Sequence, residues 1–248
     1  MSSHYLHAEQ LSRLASVDSP SIANVIELFG VRSNMAGYTG AALKAIYPDL
    51  PPAVGYAVTA TYRAAYPSEA GFAYDDMARM IELGQTLPKP TFAVFQDLDD
   101  PPRAVTYGEI MASTFQAFSF SGLITSGAGR DFVQVGALNF PCWASSLVVS
   151  HGYPQILEVG VPVCIAGLQV KTGDLLHADG NGVVSIPHRI AAGVAELIEP
   201  YLAVERQMLE DLKAPNLSLA THRNSVGQAT LKIQDLRKRA RGILEAMA

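Results

Sequence analysis

The chain has 248 residues, 49% hydrophobic and 17% charged, enough apolar material for one large domain or a domain with an accessory segment. A formal net charge of −5 argues against an extended nucleic-acid surface. No apolar run reaches the roughly 18 residues of a membrane span, and the start, MSSHYLHAEQLSRLASVDSP, lacks the basic-then-apolar order of a signal peptide, so a cytoplasmic location is expected.

In chain order, SPSIANVIELFG (19–30) has the Ser-Pro start and Gly stop of a helix. Alternation in VGYAVTATY (54–62) predicts a strand, DDMARMIELG (75–84) a helix, and TFAVFQD (91–97) a short buried strand ending on an acid. The turn-rich LDDPPRAV (98–105) leads into a helix at Gly108-Glu109. SGLITSG (121–127) and FPCWASSLVV (140–149) are the next strands. Residues 161–187 set short β-branched runs between Gly, Asp and Asn turns, the pattern of tight antiparallel strands. A long helix from Pro187 to Lys213 is expected to bend or break at Pro200. A last helix covers about 226–247. The division expected is a catalytic domain over 1–213 and a helical extension over 214–248 that packs against another subunit.

Most polar residues have a plain structural explanation. Cys142 and Cys164 sit in apolar, strand-like contexts and read as buried free thiols. The basic cluster of Lys232, Arg237, Lys238, Arg239 and Arg241 reads as a solvated or subunit-facing helix surface. The six histidines show no metal spacing, and His151 and His177 read as structural. Lys171 fits an exposed hairpin turn better than a Schiff-base site. Asp97, Asp99 and Asp100 read as solvated loop acids, with one of them a candidate support for a site.

Two short motifs stand apart. Gly108-Glu109 and Arg130-Asp131 are separated by 20 residues that read as helix, strand and glycine turn. That order can bring both motifs to one end of a sheet, with two carboxylates, a guanidinium and free backbone N–H groups together. Carboxylates suit a hard divalent cation, and an arginine fork suits a carboxylate-bearing substrate. Each acid also has a structural reading: Asp131 as the N-cap of a helix beginning there, Glu109 as a first-turn acid on a helix dipole.

TYGEIMASTFQAFSFSGLITSGAGRD and VPVCIAGLQVKTGDLLHADGNGVVSIP, in that order, resemble the RraA-like family: the regulators of ribonuclease activity A and the 4-hydroxy-4-methyl-2-oxoglutarate aldolases. The resemblance runs from Ser19 to Glu205. It implies an α/β fold of β/β/α swivelling-domain type with a mixed sheet, assembled as homotrimers or homohexamers with active sites between subunits. By the same resemblance Asp131 ligates Mg²⁺ or Mn²⁺, Glu109 holds it through water, and Arg130 binds a 2-oxo acid and steadies its enolate. Backbone amides from Gly108 through Glu109 and Ile110 to Met111 hold the substrate carboxylate. The implied activity is aldol cleavage or oxaloacetate-type decarboxylation through a pyruvate enolate. A non-enzymatic regulatory binding protein and another metal-dependent lyase or hydrolase remain as alternatives. The regulators lack the acid before the gap, which sets Glu109 against the first of these. The chain departs from the aldolases in carrying Glu109 for Asp, Asn24 where an Asp is common, and GAGRD for the usual G-A-V-R-D turn.

Overall fold

A computed structural model describes residues 5–67 and 74–246. In chain order the elements are α1 (Ala8–Ala15), α2 (Ser19–Phe29), β1 (Lys44–Ala45), β2 (Ala53–Arg63), α3 (Tyr74–Gln85), β3 (Thr91–Asp97), β4 (Val105–Tyr107), α4 (Glu109–Ala117), β5 (Phe120–Thr125), β6 (Ala128–Gly129) and α5 (Phe132–Ala137). They continue with β7 (Cys142–Ala144), β8 (Ser146–Leu147), β9 (Gln155–Val159), β10 (Val163–Ile165), β11 (Leu168–Val170), β12 (Leu175–Asp179), β13 (Gly182–Ile186), α6 (His188–Leu212) and α7 (Leu219–Ala246). Two compact units result: Met35–Ile186, and the described parts of Met1–Asn34 with Pro187–Ala248.

The unit Met35–Ile186 is built on an eight-stranded mixed sheet of order β1-β7-β5-β3-β2-β12-β13, with β9 also paired to β2. The centre, β2-β3-β5-β7, is parallel, and the flanking pairs are antiparallel. Successive side chains of a strand point to opposite faces, and both faces are covered here. Val58, Ala60, Tyr62, Ala93, Phe95 and Leu123 pack with Met80 of α3 and Ala112 and Phe115 of α4. Ala57, Phe92, Val94 and Ile124 pack with Val163, Ile165, Leu168 and Val170 of the β10–β11 hairpin. Burial on both faces explains the almost unbroken apolar runs of β2 and β3.

A second, three-stranded sheet, β4-β6-β8, is all parallel. It carries the Gly108-Glu109 and Arg130-Asp131 motifs at its strand ends, and its strands of two or three residues are too short to show a sequence period. The strand expected over 121–127 is β5, which ends at Thr125 in the large sheet; the chain enters the small sheet at Ala128, past the expected span. The run expected at 140–149 is divided between β7 and β8.

In the helical unit, Asp18 caps α2 by accepting the Ser21 N–H at 2.8 Å, and Gly30 ends it. α2, α6 and α7 pack on one another, burying Ile22, Val25, Ile190, Val194, Leu197 and Leu236. The helix after Pro187 begins where expected, but it does not break at Pro200: α6 runs unbroken to Leu212, with Val204 beyond the proline still buried. α7 starts at Leu219, seven residues before the expected 226. Met247, the expected end of that helix, lies outside the described residues. Residue 213, the expected domain boundary, falls at the α6–α7 connection inside this unit. Among the described residues no helix is long and apolar enough to cross a membrane.

Candidate active site

Parallel pairing of β4 and β6 places Tyr107 opposite Gly129. The next residues along each strand are Gly108 and Arg130, so the register itself brings the two motifs side by side. The bond from Arg130 N to the Tyr107 carbonyl, 3.1 Å, locks that junction. A cavity of about 240 Å³ is lined by the β4 residues Val105 to Tyr107 and by Gly108, Glu109, Ile110, Met111, Arg130 and Asp131, together with Tyr62, His151 and Pro154. Every site residue expected from the sequence is among its walls.

Gly108 is the N-cap position of α4 and has no side chain to cap it. Its φ of −144° is open to any residue, so the need for glycine is steric. A Cβ there would come within 2.5 Å of Asp131 Oδ2 and 3.1 Å of Arg130 Nε. The cap is supplied from the other motif: Asp131 Oδ2 accepts the Glu109 N–H at 2.9 Å. The expected cap by Asp131 of its own helix is absent, since no side-chain bond is made to α5. Glu109 does lie in the first turn of α4, as its dipole reading expects. With the Glu109 N–H taken, the Ile110 and Met111 N–H groups of this first turn lack helical acceptors and suit an anion.

Asp131 reaches this position through a left-handed backbone, φ 56° and ψ 43°, a conformation uncommon outside glycine. Tyr47 holds the peptide that follows. Its hydroxyl donates to the Phe132 carbonyl at 2.7 Å, and the two rings stack at 5.2 Å. Burial, the leading cause, pushes the Tyr47 hydroxyl up to about 12.

Arg130 Nε is 3.6 Å from Asp131 Oδ2, beyond hydrogen-bond length. It is buried and has no hydrogen-bond partner. A buried, unpaired guanidinium N–H is costly unless a ligand uses it.

A divalent cation, which the resemblance implies, would find the carboxylates of Glu109 and Asp131. Among the described residues no group of three or more His, Cys, Asp or Glu side chains forms a metal cage. Two carboxylates suit Mg²⁺, which is commonly held by one or two carboxylates while retaining waters and taking substrate oxygens. An ionised carboxylate has about four lone-pair sites, and hydrogen bonding at Asp131 occupies one of them. The donor set fits.

The acidic turn behind β4 is less solvated than expected. Asp97 is half buried, accepting from Asp99 N at 3.0 Å and Thr106 Oγ1 at 3.4 Å. Desolvation is the main cause that raises its carboxyl to about 6. Asp99 Oδ2 binds the Ala64 and Ala65 N–H groups at 2.6 and 2.9 Å; Asp100 is exposed. Cys142 is buried, with its thiol pushed up to about 12 by that burial, while Cys164 is only half buried; both are free. His177 is a fully buried strand residue, and Lys171 lies on an exposed turn. His151, which the sequence reads as structural, lies in the cavity wall. No spacing marks it, and only the fold sets it there.

The RraA-like family model, described as Aldolase/RraA, matches residues 22–185. Protein DlpA of Legionella pneumophila is 24% identical over 200 residues, 79% of this chain and 30% of its own length. A protein of Halalkalibacterium halodurans named a putative 4-hydroxy-4-methyl-2-oxoglutarate aldolase is 29% identical over 89 residues, 36% of this chain and 42% of its own length. The chain thus spans less than half the length of either relative. An uncharacterized protein from Pseudomonas syringae has a solved structure with a TM-score of 0.70 at 22% identity, covering 89% of this chain and 95% of that one. It shares the mixed α/β fold, with two helices closing the chain. Since the family match takes in both motifs and the strands that align them, the chain belongs to the RraA-like family, which includes aldolases and regulators.

Proposed function

We propose that this protein is a divalent-metal-dependent lyase that releases pyruvate from a 2-oxo acid of the 4-hydroxy-4-methyl-2-oxoglutarate or oxaloacetate type. One observation carries the reading: the buried Arg130 Nε–H, with no hydrogen bond and the Asp131 carboxylate 3.6 Å away, shares a cavity with Glu109 and the open first turn of a helix. A regulatory surface has no need of an unpaired guanidinium N–H in a cavity. The name of the Halalkalibacterium halodurans relative and the use of divalent metals by aldolases of the family agree with it.

In this reading the C1 carboxylate docks on the Ile110 and Met111 N–H groups, where the helix dipole favours an anion. Glu109 and Asp131 would hold Mg²⁺ or Mn²⁺. The cation supplies Lewis-acid stabilisation of negative charge on substrate oxygen. Breaking the C3–C4 bond, or losing CO₂ from oxaloacetate, leaves an electron pair that spreads onto the ketone oxygen. Arg130 donates to that oxygen as its charge grows, and a preformed donor in a partly enclosed site needs little reorganisation at that moment.

Exposed apolar side chains include Ile110 of the cavity wall at 64%, and Val133 and Leu147 at 74% and 46% exposure. They support a homotrimer or homohexamer with sites near subunit interfaces, to which the exposed side of α7 adds packing surface. A cytoplasmic setting belongs to the same proposal.

The test is a pyruvate-release assay over a panel of 2-oxo acids. Pyruvate from a 4-hydroxy-2-oxo diacid or from oxaloacetate supports the reading. Release from none of them, with substrate binding intact, contradicts it.

A further inference from the structure

The left-handed backbone of Asp131 needs support from outside its own motif. We infer that Tyr47 is a positioning residue that holds Asp131 in the conformation in which its carboxylate meets the Glu109 N–H. The assignment rests on the metal-dependent reading above.

Asp131, at φ 56° and ψ 43°, joins β6 to the six-residue helix α5. A residue without glycine's freedom stays in that region only where its surroundings hold it there. On the preceding side the Arg130 N–H is fixed to the Tyr107 carbonyl of β4 at 3.1 Å. On the following side the Val135 N–H bonds the Asp131 carbonyl at 2.8 Å. That bond belongs to the first turn of α5 and moves with it, and six residues make no stable helix alone. With β4 holding one side, the conformation of Asp131 depends on what holds α5.

Tyr47 ties the start of that helix to the large sheet. It follows β1, which pairs with β7 through Lys44 with Ala144 and Ala45 with Trp143. The residue before it, Ile46, donates its N–H to the Cys142 carbonyl at 2.9 Å. From this edge the Tyr47 hydroxyl reaches the Phe132 carbonyl at 2.7 Å, 85 residues along the chain. The rings of the two residues stack at 5.2 Å with 25° between their planes. The Tyr47 ring also rests against Gly136, one turn further on, where a Cβ would press on Tyr47 Cε1 at 3.1 Å. At the other end of α5, Gln116 Nε2 of α4 donates to the Leu138 carbonyl at 2.9 Å. The end where Asp131 joins the helix is the one that Tyr47 holds.

Tyr47 acts from outside the cavity wall, and its effect passes through the backbone. Phe132 held in place fixes the ψ of Asp131. With it is fixed the direction of the carboxylate that accepts the Glu109 N–H at 2.9 Å. Partners that orient a metal ligand are worth about 10–100-fold in metal affinity. A tyrosine that served only to pack would be worth stability alone.

The test is calorimetric titration of wild type, Tyr47→Phe and Tyr47→Leu with Mn²⁺, alongside melting curves of the metal-free proteins. Tyr47→Phe keeps the stacked ring and loses one neutral hydrogen bond, which moves the melting temperature by about 2–4 °C. Its Mn²⁺ affinity should fall about 10-fold. Tyr47→Leu, which loses the stack as well, should bind Mn²⁺ more weakly still. In Tyr47→Phe, saturating Mg²⁺ should restore most of the turnover of oxaloacetate, because the ligand itself is intact. Unchanged Mn²⁺ affinity in Tyr47→Phe overturns the assignment, and so does a turnover deficit that excess metal does not relieve. Wild-type protein that binds no Mn²⁺ would defeat the metal-dependent reading and this assignment with it. Wild type that binds Mn²⁺ but turns over no 2-oxo acid would defeat the lyase reading alone, and the affinities would still decide for or against Tyr47.

Discussion

Asp131 accepts the backbone N–H of Glu109 at 2.9 Å, so the second motif caps the helix that the first motif begins. The acid is thereby fixed in the chain at two levels, by its own left-handed backbone and by a bond to a residue 22 positions earlier. A cap replaced by alanine typically costs about 1 kcal/mol. Asp131→Asn should keep the accepting oxygen but lose the charge. We expect near wild-type thermal stability with Mn²⁺ affinity weakened at least 10-fold, and Asp131→Ala to lose both. Calorimetric titration with Mn²⁺ and a melting curve separate the two roles. Equal affinity in Asp131→Asn and wild type would return this residue to capping alone.

Gly108→Ala should damage the site without straining the backbone. The added methyl meets Asp131 Oδ2 and Arg130, and overpacking of this kind costs about 1–3 kcal/mol. The expected result is a fall in metal affinity and turnover larger than the fall in melting temperature accounts for. Unchanged turnover would show that the two motifs have slack between them.

Arg130→Lys keeps the charge and removes the fork. Lysine has no Nε–H at the buried position where Arg130 has one unpaired. Because that donor acts as charge develops, kcat should fall together with kcat/KM. A rise in KM with kcat untouched would reduce Arg130 to a docking residue.

Asp97 predicts a pH signature. Desolvation raises its folded-state carboxyl to about 6 from an ordinary 3.8. Between those values the folded state holds a proton that the unfolded chain has released, so this residue lowers stability as pH rises through that window. Asp97→Asn should therefore gain on wild type between about pH 4 and pH 7, by about 1 kcal/mol once the carboxylate's partial exposure is discounted. Melting temperatures across that range give the answer. A difference that stays constant with pH would mean that Asp97 is not desolvated in solution.

The sequence showed most where burial is uniform. β3 was legible at both ends because both faces of Thr91–Asp97 are covered, leaving an apolar run stopped by an acid. α2 carries its own start and stop in Pro20 and Gly30. The adjacency of the two motifs was legible only as a possibility. It depends on β6, two residues long, pairing in register with β4, and two residues carry no period. The cap made by Asp131 was read as local and proves to be tertiary. α6 passes through Pro200 because packing on both sides of the proline outweighs one lost backbone bond. His151 had no signal at all in spacing, since its place depends on the bond between Ser150 and Val105 across 45 residues.

The most direct measurement follows oxaloacetate or 4-hydroxy-4-methyl-2-oxoglutarate turnover by wild-type protein before chelation, after EDTA, and after Mg²⁺ is restored, with borohydride added in a parallel reaction. Activity lost on chelation, regained with Mg²⁺ and leaving no substrate attached to the protein after borohydride is the predicted result. Turnover that persists after exhaustive chelation, or covalent trapping of the substrate on a lysine, would contradict the account.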